Sequence, residues 1–421
     1  MKKLLIILLL FLNHSFSQSL FELDSAIEKI IKKYKLIGLS ICVILDNNII
    51  FEKYSGFADI KNKRLINDST CFRIASISKT VTGTAIMQLY EKGLINLDDD
   101  ISNYLGYKVR NPKYPEDIIT IRQLANHISS LNDGLGYGEF LNFAYSSNIP
   151  DIKDLLTPQG KFYTKDIWGN YKPGTKYSYC NAGYALLGTI VEKVTKTRFD
   201  LYCKKNIFDK LGMKSSFNVD DMNLNNIAVL YRDSIPQFDN YEGHKVPRDL
   251  SNYLPGTNAT AFAPQGGLRT SAKDLSKFLR AHINKGVFNN HRILNDSSCV
   301  LMHGSVFPLR GLGFLSKKST ISFHFTESLL KDNVLIGHAG GAYGLLSGMY
   351  FDKNRKFGII FFANGGKYGN YSSGYTDFEK ELVSVIYFYL RPLIDVKNYI
   401  FTDIENQKAI TDSSITLKYK K

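Results

Sequence analysis

Ser76 and Lys79 stand one helical turn apart in RIASISKTVTG (73–83), where a run of apolar residues begins. Val81, Ala85, Ile86, Leu89 and Tyr90 recur at intervals of three and four, and Gly93 stands where a C-terminal cap belongs, which predicts a helix of about four turns. A serine opening such a helix sits among unsatisfied N–H groups and at the positive end of the dipole, both of which favour a developing oxyanion. Spacing of three brings the Lys79 ammonium to the same face. A partly desolvated lysine is one of the few groups able to take a serine's proton, so the pair can form a nucleophile and its base. The alternative is an N-cap serine beside a solvent-facing lysine, which involves no chemistry. The same spacing recurs at Ser328 and Lys331, in TESLLKDN, which reads as a solvated turn ahead of an apolar strand.

Acyl transfer also needs a proton relay to the leaving group and N–H donors facing the carbonyl oxygen. KPGTKYSYCNAGYALLG supplies Tyr179 and Asn181 in a loop after Pro173-Gly174 and before a helix expected near Ala182. A phenol beside a cationic lysine is expected to lose its proton more easily than a free one. Tyr368 and Asn370 repeat the pattern inside GGKYGNYSSG, which reads as a flexible loop. VLIGHAGGAYG reads as a buried strand ending in His338, Ala339, Gly340 and Gly341. Small residues there let a substrate backbone lie along the strand edge, and the Gly341 N–H is the candidate second oxyanion donor beside that of Ser76. A hydrogen-bonded core tyrosine and a satisfied surface histidine are the readings without function.

These residues need elements to position them. LSICVILDNNIIFEKYSG is β-rich on both sides of Asn47-Asn48, a hairpin signature, and it precedes the Ser76 helix. Residues 83–264 are mostly helical in period and carry aromatic-rich irregular stretches, which reads as an inserted helical region. Ser271 and Asp274 form a capping-box pattern ahead of Leu275, Phe278 and Leu279. Strands return at GLGFL, VLIGHAG, LLSGMYFD and, after a turn at Asn354, KFGIIFFANGG; FEKELVSVIYFYL then has a helical stripe, and 396–421 is a polar tail. The order predicts an α+β fold, with one catalytic domain whose central sheet comes from 18–82 and 265–395 and whose helical insertion lies between them.

The chain has 421 residues, 44% of them hydrophobic and 22% charged, enough for a substantial core. MKKLLIILLLFLNHSFSQS has two lysines, an apolar run and small residues, so residues 1–17 are expected to be an export signal, too short to span a bilayer. No cysteine follows that run, so no lipid attachment site is expected. The expected product is periplasmic or secreted, with no stable membrane anchor. The net charge is +14, or +12 once Lys2 and Lys3 leave with the signal. The basic residues are scattered without a nucleic-acid motif, so no nucleic-acid partner is expected. Five cysteines, at 42, 71, 180, 203 and 299, show neither C-x-x-C nor zinc-like spacing, which predicts neither a disulfide scaffold nor a metal site. With no H-E-x-x-H, phosphate loop or G-x-S-x-G, the leading candidates exclude zinc proteases, nucleotide enzymes and ordinary α/β-hydrolases, and no cofactor is expected.

Ser76-Ile77-Ser78-Lys79, Tyr179-Cys180-Asn181 and His338-Ala339-Gly340, in that order, resemble the three motifs of the serine β-lactamase and penicillin-binding protein superfamily. The branch they resemble most is that of class C β-lactamases, D-alanyl-D-alanine carboxypeptidases and related esterases and aminopeptidases. ITIRQLANHISSL, PQGGLRTSAKDL and RGLGFL are similar to recurrent segments of the same family, so the resemblance runs over roughly 25–390. It implies a β-lactamase/transpeptidase-like fold with a central antiparallel sheet flanked by helices. It also implies that Ser76 attacks a carbonyl, Lys79 and Tyr179 share proton transfer, Asn181, His338, Gly340 and Gly341 bind substrate, and water cleaves the acyl-enzyme. The substrate would be a small molecule, a peptide or an ester, cell-wall peptide among them. Ser-Asp-Asn is absent, which excludes class A. The third motif lacks the Lys-Thr-Gly or Lys-Ser-Gly of most β-lactamases, and His-x-Gly places the chain with members that are more often peptidases and esterases. ISSL stands after His127 where Thr-Ser-Gly-Leu is usual, a loop variation expected to carry no catalytic meaning. A β-lactamase or carboxypeptidase proper, and a penicillin-binding sensor that acylates without turnover, are the alternatives. The strand lacks a hydroxyl at Ala339 and Gly341, so substrates without a carboxylate are expected to be preferred, with penicillin reaction improving as pH falls toward 6 and His338 gains charge.

Overall fold

The computed structural model describes residues 2–146, 148–237, 248–304, 319–352 and 357–392, with side chains from Gln18 onward except at 319 and 320. Helix α1 (Lys2–Tyr34) leads into strands β1 (Gly38–Leu45), β2 (Asn48–Asp59) and β3 (Arg64–Leu65). After helices α2 (Ser78–Glu91), α3 (Asn181–Thr195) and α4 (Ala272–Ile283) come β4 (Ser319–Thr320), β5 (Phe323–Thr326), β6 (Leu335–Ala342), β7 (Leu345–Asp352) and β8 (Phe357–Asn364). Helix α5 spans 377–392.

These strands form one eight-stranded antiparallel sheet in the order β4-β5-β6-β7-β8-β1-β2-β3. The two ends of the chain meet where β1 pairs with β8, Gly38 opposite Asn364 and Leu45 opposite Phe357. Both strands are buried at every residue because each face is covered. Leu39, Ile41, Val43, Phe357, Ile359 and Phe361 pack with Leu23, Ile27 and Ile30 of α1 and with Phe378, Leu382 and Ile386 of α5. The alternate residues Cys42, Ile44, Ile360 and Phe362 face the larger core with Val81 of α2 and Leu275, Phe278 and Leu279 of α4. Side chains alternate across a strand, so one stretch of sequence serves two cores.

The turn from β1 to β2 is Asp46-Asn47, one residue earlier than the sequence suggests. Asp46 and Asn47 take φ of 52° and 64°, as a two-residue hairpin of the right twist requires, and Asn and Asp tolerate this region. Helix α2 also differs from the amphipathic expectation. It is buried on every side from Ser78 to Leu89, and only at Tyr90 does the exposure reach 40%. Its threonines look polar in sequence but bury their hydroxyls on backbone carbonyls: Thr80 on Ile77 (2.8 Å), Thr82 on Pro264 (2.7 Å) and Thr84 on Thr80 (2.9 Å). Gly93, at φ 66°, ends the helix with Leu94 N–H donating to Leu89 O. Helix α4 starts as expected, with Ser271 Oγ accepting from Asp274 N–H at 3.1 Å, although the Asp274 carboxylate turns instead to Lys214 N–H and Lys277.

All five cysteines are buried and none forms a disulfide. Among the described residues, no group of three or more His, Cys, Asp or Glu is placed to hold a metal ion, and no helix is long and apolar enough to cross a membrane. The strand expected at GLGFL, the turn at Asn354 and the tail at 396–421 lie outside the described residues.

Candidate active site

Ser76 sits in a single turn of 3-10 helix (Ala75–Ile77) immediately ahead of α2. Ala75 is the reason the chain can turn there. Its φ is 49°, a left-handed conformation that costs a non-glycine residue about 1 kcal/mol or more and clusters at functional sites. The turn is pinned on three sides. Ile74 N–H donates to Leu268 O (2.9 Å), Ser78 Oγ donates to Ala75 O (2.6 Å) and accepts from Leu268 N–H (3.0 Å), and Ser347 Oγ of β7 lies 2.9 Å from Ile74 O. Gly340 lets β6 approach. A Cβ there would stand 2.5 Å from Ile74 O and 2.4 Å from Ser347 Oγ, closer than atoms can pack.

Two proton-transfer groups converge on Ser76 Oγ. Tyr179 donates its hydroxyl to it at 2.7 Å, and Lys79 Nζ lies 3.1 Å from it. Lys79 has no exposed surface, and its Nζ also reaches Asn181 Oδ1 at 2.9 Å and Gln265 O at 2.6 Å. Desolvation lowers its pKa to about 7, against the opposing field of the Asp133 carboxylate. With two hydrogens on Asn181 and Gln265, a neutral amine directs its lone pair at Ser76.

For Tyr179 the balance runs against the sequence-based expectation. Desolvation of the hydroxyl holds its pKa well above 10 despite the hydrogen bond to Ser76, so the phenol keeps its proton although 38% of the residue is exposed. Burial of the charged form outweighs the Ser76 hydrogen bond, and the Asp133 carboxylate adds to it.

Asn181 opens α3, and its side chain is held by an acid that the motif does not include. Asp133 accepts from Asn181 N–H (2.6 Å), Ala182 N–H (3.0 Å) and Asn181 Nδ2 (2.8 Å). The carboxylate caps the helix start and fixes the amide so that Oδ1 faces Lys79. One Nδ2 hydrogen is what remains for a substrate. In sequence Asp133 is an acid just beyond ISSL, and nothing local connects it with a residue 48 positions on.

His338, Ala339, Gly340 and Gly341 line a cavity of about 640 Å³ together with Ser76, Tyr177, Tyr179, Leu346 and the hairpin that pairs Tyr371-Ser372 with Tyr375-Thr376. Strand β5 pairs with β6 only from Leu335 to Gly337, so among the described strands β6 has a free edge from His338 onward. His338 is buried rather than on the surface. Its Nδ1 lies 2.5 Å from Ala339 O and its Nε2 3.2 Å from Nε2 of His324. Desolvation, with His324 and Lys79 nearby, holds its pKa well below 6.5. This direction runs against the gain of charge expected as the pH falls.

The two decoys fall elsewhere. Ser328 is in the loop between β5 and β6, with its N–H on Thr326 Oγ1. The Tyr368 hydroxyl lies 2.8 Å from the carbonyls of Gly344 and Ala363. GGKYGNYSSG is no loose loop, since its second half supplies the first strand and the turn of the hairpin that walls the cavity.

The Beta-lactamase family model matches residues 23–379. Protein flp of Staphylococcus aureus (strain N315) is 24% identical over 351 residues, 82% of this chain and 62% of that protein; the chain thus spans less than two thirds of the curated relatives it matches. A penicillin-binding protein of Bacillus subtilis (strain 168) is 30% identical over 198 residues, 46% of this chain and 41% of its own. An octameric penicillin-binding protein homologue from Pyrococcus abyssi superposes with a TM-score of 0.66 at 25% identity, covering 88% of this chain and 77% of that one.

Proposed function

This chain belongs to the β-lactamase family, within the superfamily of serine β-lactamases and penicillin-binding proteins, and from that premise we propose that it is a serine hydrolase cleaving an ester or amide through an acyl-enzyme on Ser76. One observation carries the reading: Ser76 Oγ is shared between a phenol at 2.7 Å and a buried lysine at 3.1 Å whose pKa lies near 7. The two groups divide the work. Neutral Lys79 takes the Ser76 proton as Oγ bonds to the carbonyl carbon and the carbonyl pair moves to oxygen. That oxygen meets the N–H groups of Ser76 and Gly341, each such donor contributing roughly 3 kcal/mol. Tyr179, still protonated, donates to the leaving nitrogen or oxygen and is resupplied from the Lys79 ammonium. Water then attacks the acyl carbon while neutral Lys79 takes its proton, the Oγ–C bond breaks to release the carboxylic acid, and that proton passes from Lys79 to Ser76 Oγ.

The preferred substrates lack a carboxylate beside the scissile bond. The lining of β6 offers a neutral His338 and no hydroxyl at 339 or 341, so the charge-assisted bonds that such a carboxylate needs, about 1.5 to 3 kcal/mol each, are missing. Because burial disfavours the charged form of His338, lowering the pH is not expected to favour penicillins through this residue. Export is part of the proposal, and the composition of residues 1–17 supports it.

Intact-mass measurement after mixing with p-nitrophenyl acetate and, separately, benzylpenicillin tests the reading. A mass increase of one acyl group on the wild type, absent in Ser76→Ala and unaffected in Ser328→Ala, is the expected result. Equal hydrolysis by Ser76→Ala would sink the mechanism. A penicilloyl adduct that never clears, with no ester turnover, would identify a sensor instead.

A further inference from the structure

Tyr179 has a loose setting for a group that must deliver a proton. It lies in the extended stretch before α3, and 38% of it is exposed. Sub-ångström placement matters in proton transfer, a 1 Å error costing on the order of 100-fold in rate. Something must hold the ring, and the loop alone does not.

His127 reaches that loop at three points. Ser178 N–H donates to its carbonyl oxygen at 2.8 Å, and Cys180 N–H donates to its Nδ1 at 3.1 Å, so the residues on both sides of Tyr179 hang from one histidine. Between those two bonds its ring stacks on the Tyr179 ring, centroids 4.3 Å apart and planes inclined by 29°. The anchor is itself rigid. His127 follows the short helix Ile121–Ala125, whose start carries a complete capping box between Thr120 and Gln123. It takes φ of 58°, its own N–H donates to Leu124 O at 3.1 Å, and it is 2% exposed. Burial and the nearby Lys79 keep the imidazole neutral, so Nδ1 stays an acceptor and the proton sits on Nε2, which has no partner among the described residues.

We propose that His127 is the positioning residue for Tyr179, setting the height and tilt of the phenol above Ser76 through the two flanking backbone bonds and the ring stack. The proposal rests on the reading of Tyr179 as the proton-transfer partner of Ser76.

A double-mutant cycle on the full chain tests it, with the pre-steady-state burst of p-nitrophenolate from p-nitrophenyl acetate as readout. The burst rate constant is a property of each intact site, so partial misfolding lowers amplitude and leaves the rate constant alone. His127→Ala is expected to slow the burst by about 10- to 100-fold while KM moves less than about threefold. In a Tyr179→Phe background the same change is expected to cost less than about twofold, because the hydroxyl being positioned is gone. His127→Asn tolerates the backbone conformation and keeps an acceptor for Cys180, and is expected to recover part of the loss. Losses that multiply in the two backgrounds, or a His127→Ala burst at the wild-type rate, overturn the proposal. A Tyr179→Phe enzyme as fast as the wild type overturns instead the catalytic reading beneath it.

Discussion

A lysine that touches no water is a poor cation, and that fact sets the pH behaviour of the site. Above about pH 7 Lys79 is mostly neutral and can act as a base; below it the amine carries its proton and cannot. The burst rate constant with p-nitrophenyl acetate is therefore expected to rise with pH through an inflection near 7. Asp133 is the charge that holds this value up, so Asp133→Asn is expected to move the inflection to lower pH. It should also slow the plateau rate by about tenfold, since Asn181 loses the acceptor that orients its amide. An inflection that stays put, or moves upward, would contradict this account. Ser76, Lys79 and Tyr179 were legible from type and spacing because their chemistry is local to short motifs. Asp133 and His127 were not, since each acts across a loop closure that only the folded chain displays.

At the level of the element, the decisive feature is the turn that delivers Ser76 to the start of α2. Ala75 is 3% exposed and left-handed, so its Cβ is tolerated and nothing larger fits without strain. Ala75→Gly is expected to leave stability within about 1 kcal/mol of the wild type or to raise it, and Ala75→Val to lower it by roughly 2 to 4 kcal/mol from backbone strain and overpacking together. Urea denaturation of the three proteins measures the difference, and a Val variant as stable as the wild type would show that the turn is not strained. The sequence indicated the helix, its length and its Gly93 cap. It misjudged the surroundings, because threonines that satisfy their hydroxyls on nearby backbone carbonyls look like a solvent face when they are core. The hairpin slip to Asp46-Asn47 has a similar origin, since Asp46, Asn47 and Asn48 all suit a tight turn and only the pairing register chooses between them.

For the whole molecule, the sheet assembled from both ends was legible as strand-rich runs at either end of a helical middle. The role of residues 20–34 was not, because they lie close behind the apolar N-terminal run and show no motif. Leu23, Ile27 and Ile30 are nonetheless buried under the sheet, and Lys33 and Tyr34 meet Glu381 of α5 at 2.5 Å and 2.6 Å. Ile27→Ala is expected to destabilise the protein by about 2 to 5 kcal/mol while leaving the burst rate constant unchanged, and an effect on the rate would show that this layer reaches the site. The pairing of β1 with β8 has a further consequence for the order of events in the cell. Synthesis runs from the N-terminus, so β1 leaves the ribosome long before residues 357–364 exist to cover its second edge, and the strand carrying Gly340 and Gly341 arrives scarcely earlier. A nascent chain therefore carries Ser76 and Lys79 well before β6, the strand beside which they sit, has been made, and the site is complete only after that strand has followed them.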